Sequence, residues 1–182
     1  MPAEELIDVL DENGAPTGVV KEKGAVHRDG DWHRSSHIWI VSGRNVLLQR
    51  RALAKPSWPG LWDISVAGHI SAGESAIDAA VREAREEIGI EIAPAEIAHI
   101  GTLRYQCVLR DGYVENEIHE VYLLRRDVDL SSLTLDPSEV AEVRWVPLED
   151  LDQYERVPHK EEYGLLTDTL TLPRATLPRT RI

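Results

Sequence analysis

Residues Gly68 to Ile90 read GHISAGESAIDAAVREAREEIGI, and the rest of the chain is organised around them. The pattern is loop, helix, glycine stop. Ser75 stands at an N-cap position with Asp78 three residues on, a capping box with Asp in place of Glu. Ile77, Ala80, Val81, Ala84 and Ile88 recur at helical spacing and make one apolar stripe. Gly89 falls where a left-handed residue stops a helix. The opposite side carries Glu83, Glu86 and Glu87, whose offsets of three and four put the carboxylates on one surface. Hard oxygen ligands in this number suit Mg²⁺ or Mn²⁺, which bridge phosphate oxygens. The same residues also suit a solvated acidic face partnered by Arg82 and Arg85.

The complete spacing distinguishes the two. Gly68, five residues, Glu74, seven residues, then Arg82-Glu83-Ala84-Arg85-Glu86-Glu87-Ile88-Gly89-Ile90 resembles the signature of the Nudix hydrolases at every fixed position. The resemblance implies an α/β fold, an α/β/α sandwich with a mixed β-sheet and a catalytic loop–helix–loop. It implies hydrolysis of a diphosphate (pyrophosphate) linked to another moiety, with Glu83, Glu86 and Glu87 as ligands of Mg²⁺ or Mn²⁺. A backbone carbonyl at Ala67 or Gly68 would complete the metal shell, and one glutamate would double as general base. Arg82 and Glu74 would orient the ligands.

Outward from this stretch the chain reads as one domain over 1–182, with its core at about 32–165. Leu6–Leu10 and Thr17–Glu22 form an N-terminal hairpin within 5–23, turning at Asn13-Gly14. Residues 24–31 read as a loop. His33–Val41 and Val46–Arg50 read as adjacent strands, and Asp63–Ala67 as a short strand feeding the helix loop. Trp58 and Trp62 bracket Pro59-Gly60 and would pack as a platform beside the helix, as core anchors or as a stacking surface. Only one of Arg50 and Arg51 can face a given cleft; Arg51 or Lys55 would neutralise a substrate phosphate, or serve solubility alone. Ile97–Leu109 and Val114–Leu124 read as long strands around Arg110-Asp111-Gly112, Val140–Val146 as another with Trp145 facing the core. A helix follows Pro147 over Leu148–Gln153, and Glu161–Thr171 is a last one, docking through Tyr163, Leu165, Leu166 and Leu170. The tail from Pro173 to Ile182 reads as loosely held.

Arg50-Arg51-Ala52-Leu53, Trp58-Pro59-Gly60-Leu61-Trp62, Ser65-Val66-Ala67-Gly68-His69 and Glu115-Asn116-Glu117-Ile118 are similar to segments of type I isopentenyl diphosphate isomerases, a Nudix branch. That likeness covers about residues 5–170. It implies a second metal site at His33, His69, Glu115 and Glu117, with His27 a looser match; mixed nitrogen and oxygen ligands suit Mn²⁺ or Zn²⁺. The isomerases' catalytic cysteine falls on Ala67, which has no ionisable atom. Three readings therefore stand: a metal-dependent diphosphate hydrolase on an isomerase-like scaffold, an isomerase, and a non-catalytic diphosphate-binding module. For the base, Glu117 and Glu120 stand beside Glu86.

A net charge of −12 argues against general affinity for nucleic acid or membrane surfaces, and leaves a small diphosphate as the expected partner. Cys107 is the single cysteine, so no intrachain disulfide is possible and a reducing, cytoplasmic setting is expected. No run reaches membrane-spanning length. A homodimer through the N-terminal strands is implied by the resemblance alone.

Overall fold

Ser65 explains how the sheet is opened to make room for a site. Strand β3 (His33–Ser42) pairs with β4 (Asn45–Arg51) only at Val41↔Val46 and Ser42↔Asn45. Beyond that point the ladder is broken, and the Ser65 hydroxyl bridges the gap: it accepts from the Ile40 N–H at 2.8 Å and donates to the Leu47 carbonyl at 2.5 Å. From Ser35 to Ile38, β3 pairs instead with β6 (Val66–His69). The strand expected over Asp63–Ala67 is therefore two pieces, β5 (Trp62–Asp63) and β6, interrupted where Ser65 turns into the sheet.

This computed structural model describes residues 5–109 and 112–171; the turn residues Arg110 and Asp111 and the tail from Pro173 lie outside the described residues. The main sheet runs β5-β4-β3-β8-β7, with β8 at Val114–Arg125 and β7 at Ile97–Val108; β9 (Val140–Pro147) lies against β4. β3 and β8 are parallel and the other pairs antiparallel, so the sheet is mixed. Helix α2 (Ala76–Ile88) covers one face, where Ala80, Ala84 and Ile88 meet Ile38, Ile40, Tyr122 and Leu124. Helix α3 (Lys160–Thr171) covers the other, where Leu166 meets Trp39, Val41, Val121 and Leu123. The alternation along β3 and β8 assigns successive residues to opposite layers. The result is the expected α/β/α sandwich.

The capping of α2 follows its sequence with one change. Ser75 Oγ accepts from the Asp78 N–H at 3.2 Å, but the Asp78 carboxylate takes the Ser75 hydroxyl at 2.6 Å rather than a backbone N–H. Gly89 ends the helix at φ +70°, and a Cβ there would stand 2.9 Å from Thr134, so both conformation and space require glycine.

The hairpin of β1 (Leu6–Leu10) and β2 (Pro16–Glu22) is a separate two-stranded sheet that backs the helix loop: Leu6 O accepts from the Ala72 N–H, and the Asp8 carboxylate from the Gly73 N–H. Two expectations are corrected. Residues 24–31 are not a plain loop, since α1 (Lys23–Asp29) occupies most of them and buries Val26 and His27 before Gly30 stops it. The tryptophan platform does not form. Trp62 packs edge-on to Tyr154 in the α3 layer, whereas Trp58 faces the cavity described below.

Candidate active site

A cavity of about 650 Å³ opens where β3 parts from β4. Its first wall is the helix loop with the glutamate face of α2. Gly68 sits so close to α2 that an added Cβ would lie 2.0 Å from Glu83 Cδ; glycine is what lets that carboxylate into the cavity. Arg82 holds this wall together. It makes a two-pronged pair with Glu74 at 2.9 Å on each side, donates to the His69 carbonyl at 2.9 Å, and reaches Glu83 at 2.6 Å and Glu86 at 3.2 Å.

Glu87 is buried and accepts from Gln49 Nε2 at 3.1 Å and from the Ala67 N–H at 3.2 Å. Burial, and then the charge of Glu83, push its carboxyl up to about 8. Burial also raises Glu83, against the pull of Arg82. Glu86 is half exposed. These oxygens are the hard donors a Mg²⁺ or Mn²⁺ ion takes, and a buried and a half-buried carboxylate, both raised by desolvation, are relieved by such an ion. The donor set therefore fits the ion. With Glu83 and Glu86 drawn toward Arg82 and Glu87 toward Gln49, the ligand atoms of the three do not lie within 4.8 Å of one another as a set among the described residues.

Histidine and carboxylate side chains form the opposite wall. The parallel register of β3 and β8 sets His33 beside Glu117 and Ser35 beside His119. His27 from α1 and His69 from β6 complete a nest in which ligand atoms of His27, His33, His69 and Glu117 lie within 4.8 Å of one another. His27 Nδ1–H donates to the Val114 carbonyl and His33 Nδ1–H to the Asp31 carbonyl, both at 3.0 Å. Each ring's Nε2 is thereby the lone-pair nitrogen. His27 Nε2 stands 3.0 Å from His69 Nε2, and His33 Nε2 is buried without a hydrogen-bond partner. Such a set fits a Mn²⁺ or Zn²⁺ ion.

Glu115 is not in the nest. Its carboxylate accepts from Trp58 Nε1 at 3.1 Å, and burial, then the charge of Glu117, lift it to about 7. Trp58 makes that bond from φ +48°, a left-handed conformation that costs energy for a bulky residue. Burial works to raise Glu117, but the imidazoles of His119 at 3.3 Å and His33 at 3.6 Å hold it well below the carboxylate range. Arg51 faces the cavity and Arg50 does not; the Arg51 guanidinium is engaged by Asp63 at 3.0 Å and by both oxygens of Ser57. Lys55 pairs with Glu139 at the rim. Glu120 points away, bonded to His99 and Thr102.

The nest member that reads loosely from spacing, His27, is brought in by the unforeseen α1. His119, His159 and Glu162 belong to the same wall, and the motifs of the sequence do not single them out. The alternation Glu115, Glu117, His119 is a signal for the first of them; His159 and Glu162 carry none.

A sandwich of this topology, with a glycine-gated loop and a glutamate-bearing helix on one cavity, defines a class. The NUDIX domain profile matches residues 31–166, and the chain belongs to that family. Among curated relatives it is 41% identical over 181 residues to Nudix hydrolase 3 of Arabidopsis thaliana, covering 92% of this chain but 23% of that protein's length. It is 37% identical over 148 residues to isopentenyl-diphosphate delta-isomerase of Escherichia coli, covering 81% of this chain and 79% of the relative. The solved structure of DR0079 from Deinococcus radiodurans superposes with a TM-score of 0.68 at 21% identity, over 90% of this chain and 98% of that one, and shares the fold. Among the described residues no helix is long and apolar enough to cross a membrane.

Proposed function

We propose that the chain is a Mg²⁺- or Mn²⁺-dependent hydrolase of a small diphosphate substrate. The observation that carries this reading is the pairing of half-buried Glu83 with buried Glu87, both raised by desolvation, on the wall of an open cavity. Glu83, Glu86 and Glu87, with a backbone carbonyl at Ala67 or Gly68, would hold the ion. When bound, it screens charge on the diphosphate and acidifies water. Arg82 and Glu74 fix the loop against the helix, so the carboxylates keep their places during turnover. Lys55, which can exchange Glu139 for phosphate, orients the substrate, whereas Arg51 is committed to Asp63 and Ser57.

In the reaction a water oxygen bonds to phosphorus and its proton passes to the Glu86 carboxylate. The bond from phosphorus to the bridging oxygen breaks, and phosphate or a phosphomonoester leaves. Glu86 is assigned the proton because it is the most exposed of the three. The nest of His27, His33, His69 and Glu117 is assigned a second divalent ion. Isomerisation, the activity in the name of the E. coli relative, is disfavoured by Ala67, which has no atom to carry a proton.

The test is release of phosphate or nucleotide from a panel of nucleoside, sugar and isoprenoid diphosphates with Mg²⁺, Mn²⁺ or chelator. Replacing Glu86 by Gln should cut kcat by roughly 10²–10⁴ with the fold intact, the range for a lost general base. Unchanged turnover in that variant would move the proton to Glu117. Absence of turnover on every substrate by folded parent protein would overturn the reading.

A further inference from the structure

Beyond the nest, the same wall carries a group of side chains that the proposed reaction does not use. His37 on β3, His119 on β8, His159 just before α3 and Glu162 on α3 are all buried, the last at 1% exposure. Ring centroids lie 4.0 Å apart for His37 and His119, and 5.1 Å apart for His119 and His159. Ligand atoms of His119, His159 and Glu162 come within 4.8 Å of one another. Yet His119 Nε2 and His159 Nδ1 are buried with no hydrogen-bond partner. Packed interiors pair nearly all such atoms, so the orphaned His159 Nδ1 calls for an occupant.

We propose that His119, His159 and Glu162 are the ligands of a borderline divalent cation, Zn²⁺ in the first place, in a site that opens on the cavity. Two imidazole nitrogens and one carboxylate oxygen make a three-ligand set that leaves a fourth position free. His159 lines the cavity, which would give a further ligand from the cavity access to the ion.

The surroundings of the three ligands fix them for this task. Trp39 Nε1 donates to Glu162 Oε1 at 3.0 Å, which leaves Oε2 to bind. His37 Nδ1–H donates to the same Oε2 at 2.9 Å and steadies it. His119 Nδ1 stands 3.3 Å from Oε2, a spacing suited to two ligands of one ion, and its Nε2 stands 3.3 Å from Glu117 Oε2. With Nδ1 on the ion, the Nε2–H points to Glu117, the carboxylate–histidine–metal arrangement that orients ligating imidazoles. That one assignment gives His119 Nε2 its partner. The other Glu117 oxygen lies 3.6 Å from His33 Nε2, so this carboxylate stands between the nest and the new site. Mixed N/O donors select against Mg²⁺, which the all-oxygen wall across the cavity prefers.

The proposal is independent of which diphosphate is cleaved, and of hydrolysis itself. The test strips the full chain with chelator, reloads it with Zn²⁺ in excess Mg²⁺, and collects diffraction data above and below the zinc edge. The expected result is an anomalous peak about 2.0–2.2 Å from His119, His159 and Glu162 atoms. It should vanish in His159→Asn while the signal at His27, His33 and His69 stays. Crystals of His159→Asn that show the sheet and α3 in place establish that the variant folds. No peak at the three ligands in parent crystals overturns the proposal, whether or not the nest fills. So does a peak that His159→Asn leaves in place.

Discussion

The two walls of the cavity are built in opposite ways. The acidic wall comes from one continuous stretch, Gly68 to Ile90, where helical spacing alone sets Glu83, Glu86 and Glu87 on one side. The histidine wall is assembled from α1, β3, β6, β8 and α3, and exists only because β3 and β8 pair in parallel register. Their electrostatics differ too. On the acidic wall burial raises Glu83 and Glu87, and Arg82 bonds Glu83 and Glu86 but not Glu87. On the histidine wall, burial pulls the His119 imidazole down, but the carboxylates of Glu117 and Glu162, each 3.3 Å away, outweigh it and lift it to about 9. Burial likewise works to raise Glu162, but His37, bonded to it at 2.9 Å, and the His119 imidazole 3.3 Å away hold it far below the carboxylate range. One wall holds carboxylates raised by desolvation; the other is knitted into the core.

That contrast is broken or sharpened most strongly at Glu87. Its folded pKa of about 8 lies above the ordinary 4.5. For a raised acid, the contribution to stability is full below the ordinary value and is lost as pH rises through about 8. The gap sets a ceiling of about 5 kcal/mol. In chelator at about pH 9, Glu87→Gln should therefore be more stable than the parent by up to that amount, and no more stable below about pH 4. Saturating Mg²⁺ should restore the parent. Urea melts at both pH values decide it, and a parent whose stability is flat with pH would show an unstrained acidic wall.

Gly68→Ala comes next. The new Cβ meets Glu83 at 2.0 Å, so the carboxylate or the loop must move. Misplacement on that scale costs about 10² in rate, near 3 kcal/mol. Metal titration should show weaker binding alongside lower kcat, and a variant with parental metal affinity would detach Gly68 from the acidic wall.

How far the sequence foretold each wall follows from this construction. Every residue of the acidic wall is legible, because its spacing, cap and stop lie within one helix. The strands, too, announce themselves by alternation. α1 does not: it has seven residues, Gly24 in its first turn and no side-chain cap, so a loop is the natural reading, and His27 looks misplaced by one. Trp62 and Asp63 sit on a two-residue strand too short to show which layer the indole joins. Glu162 reads as one more acidic residue at the start of a helix. Its burial depends on Trp39 and His37, over a hundred positions away, and nothing local encodes that.

The histidine wall should answer mutation through stability. Trp39→Phe removes the indole N–H from the buried Glu162 carboxylate, and a bond to a charged acceptor is worth about 2 kcal/mol. A melting temperature lowered by several degrees is expected. No change would mean that Glu162 finds another donor and that this wall is less tightly knitted than its contacts imply.

The smallest effect separates helix stability from the placement of the glutamates. Ser75→Ala removes the hydroxyl that caps α2 and holds Asp78, a loss of about 1 kcal/mol. For a chain of this length that is about 2–4 °C in melting temperature. Glu83 lies two turns further on and is held by Arg82, Glu86 is tied to the same guanidinium, and Glu87 is fixed by Gln49 and the Ala67 N–H. None of these restraints passes through Ser75. Metal affinity and kcat should therefore stay within twofold or so while the melting temperature falls. If both drop together, the first turn of α2 sets the position of the carboxylates, and the acidic wall is less local than its sequence makes it look.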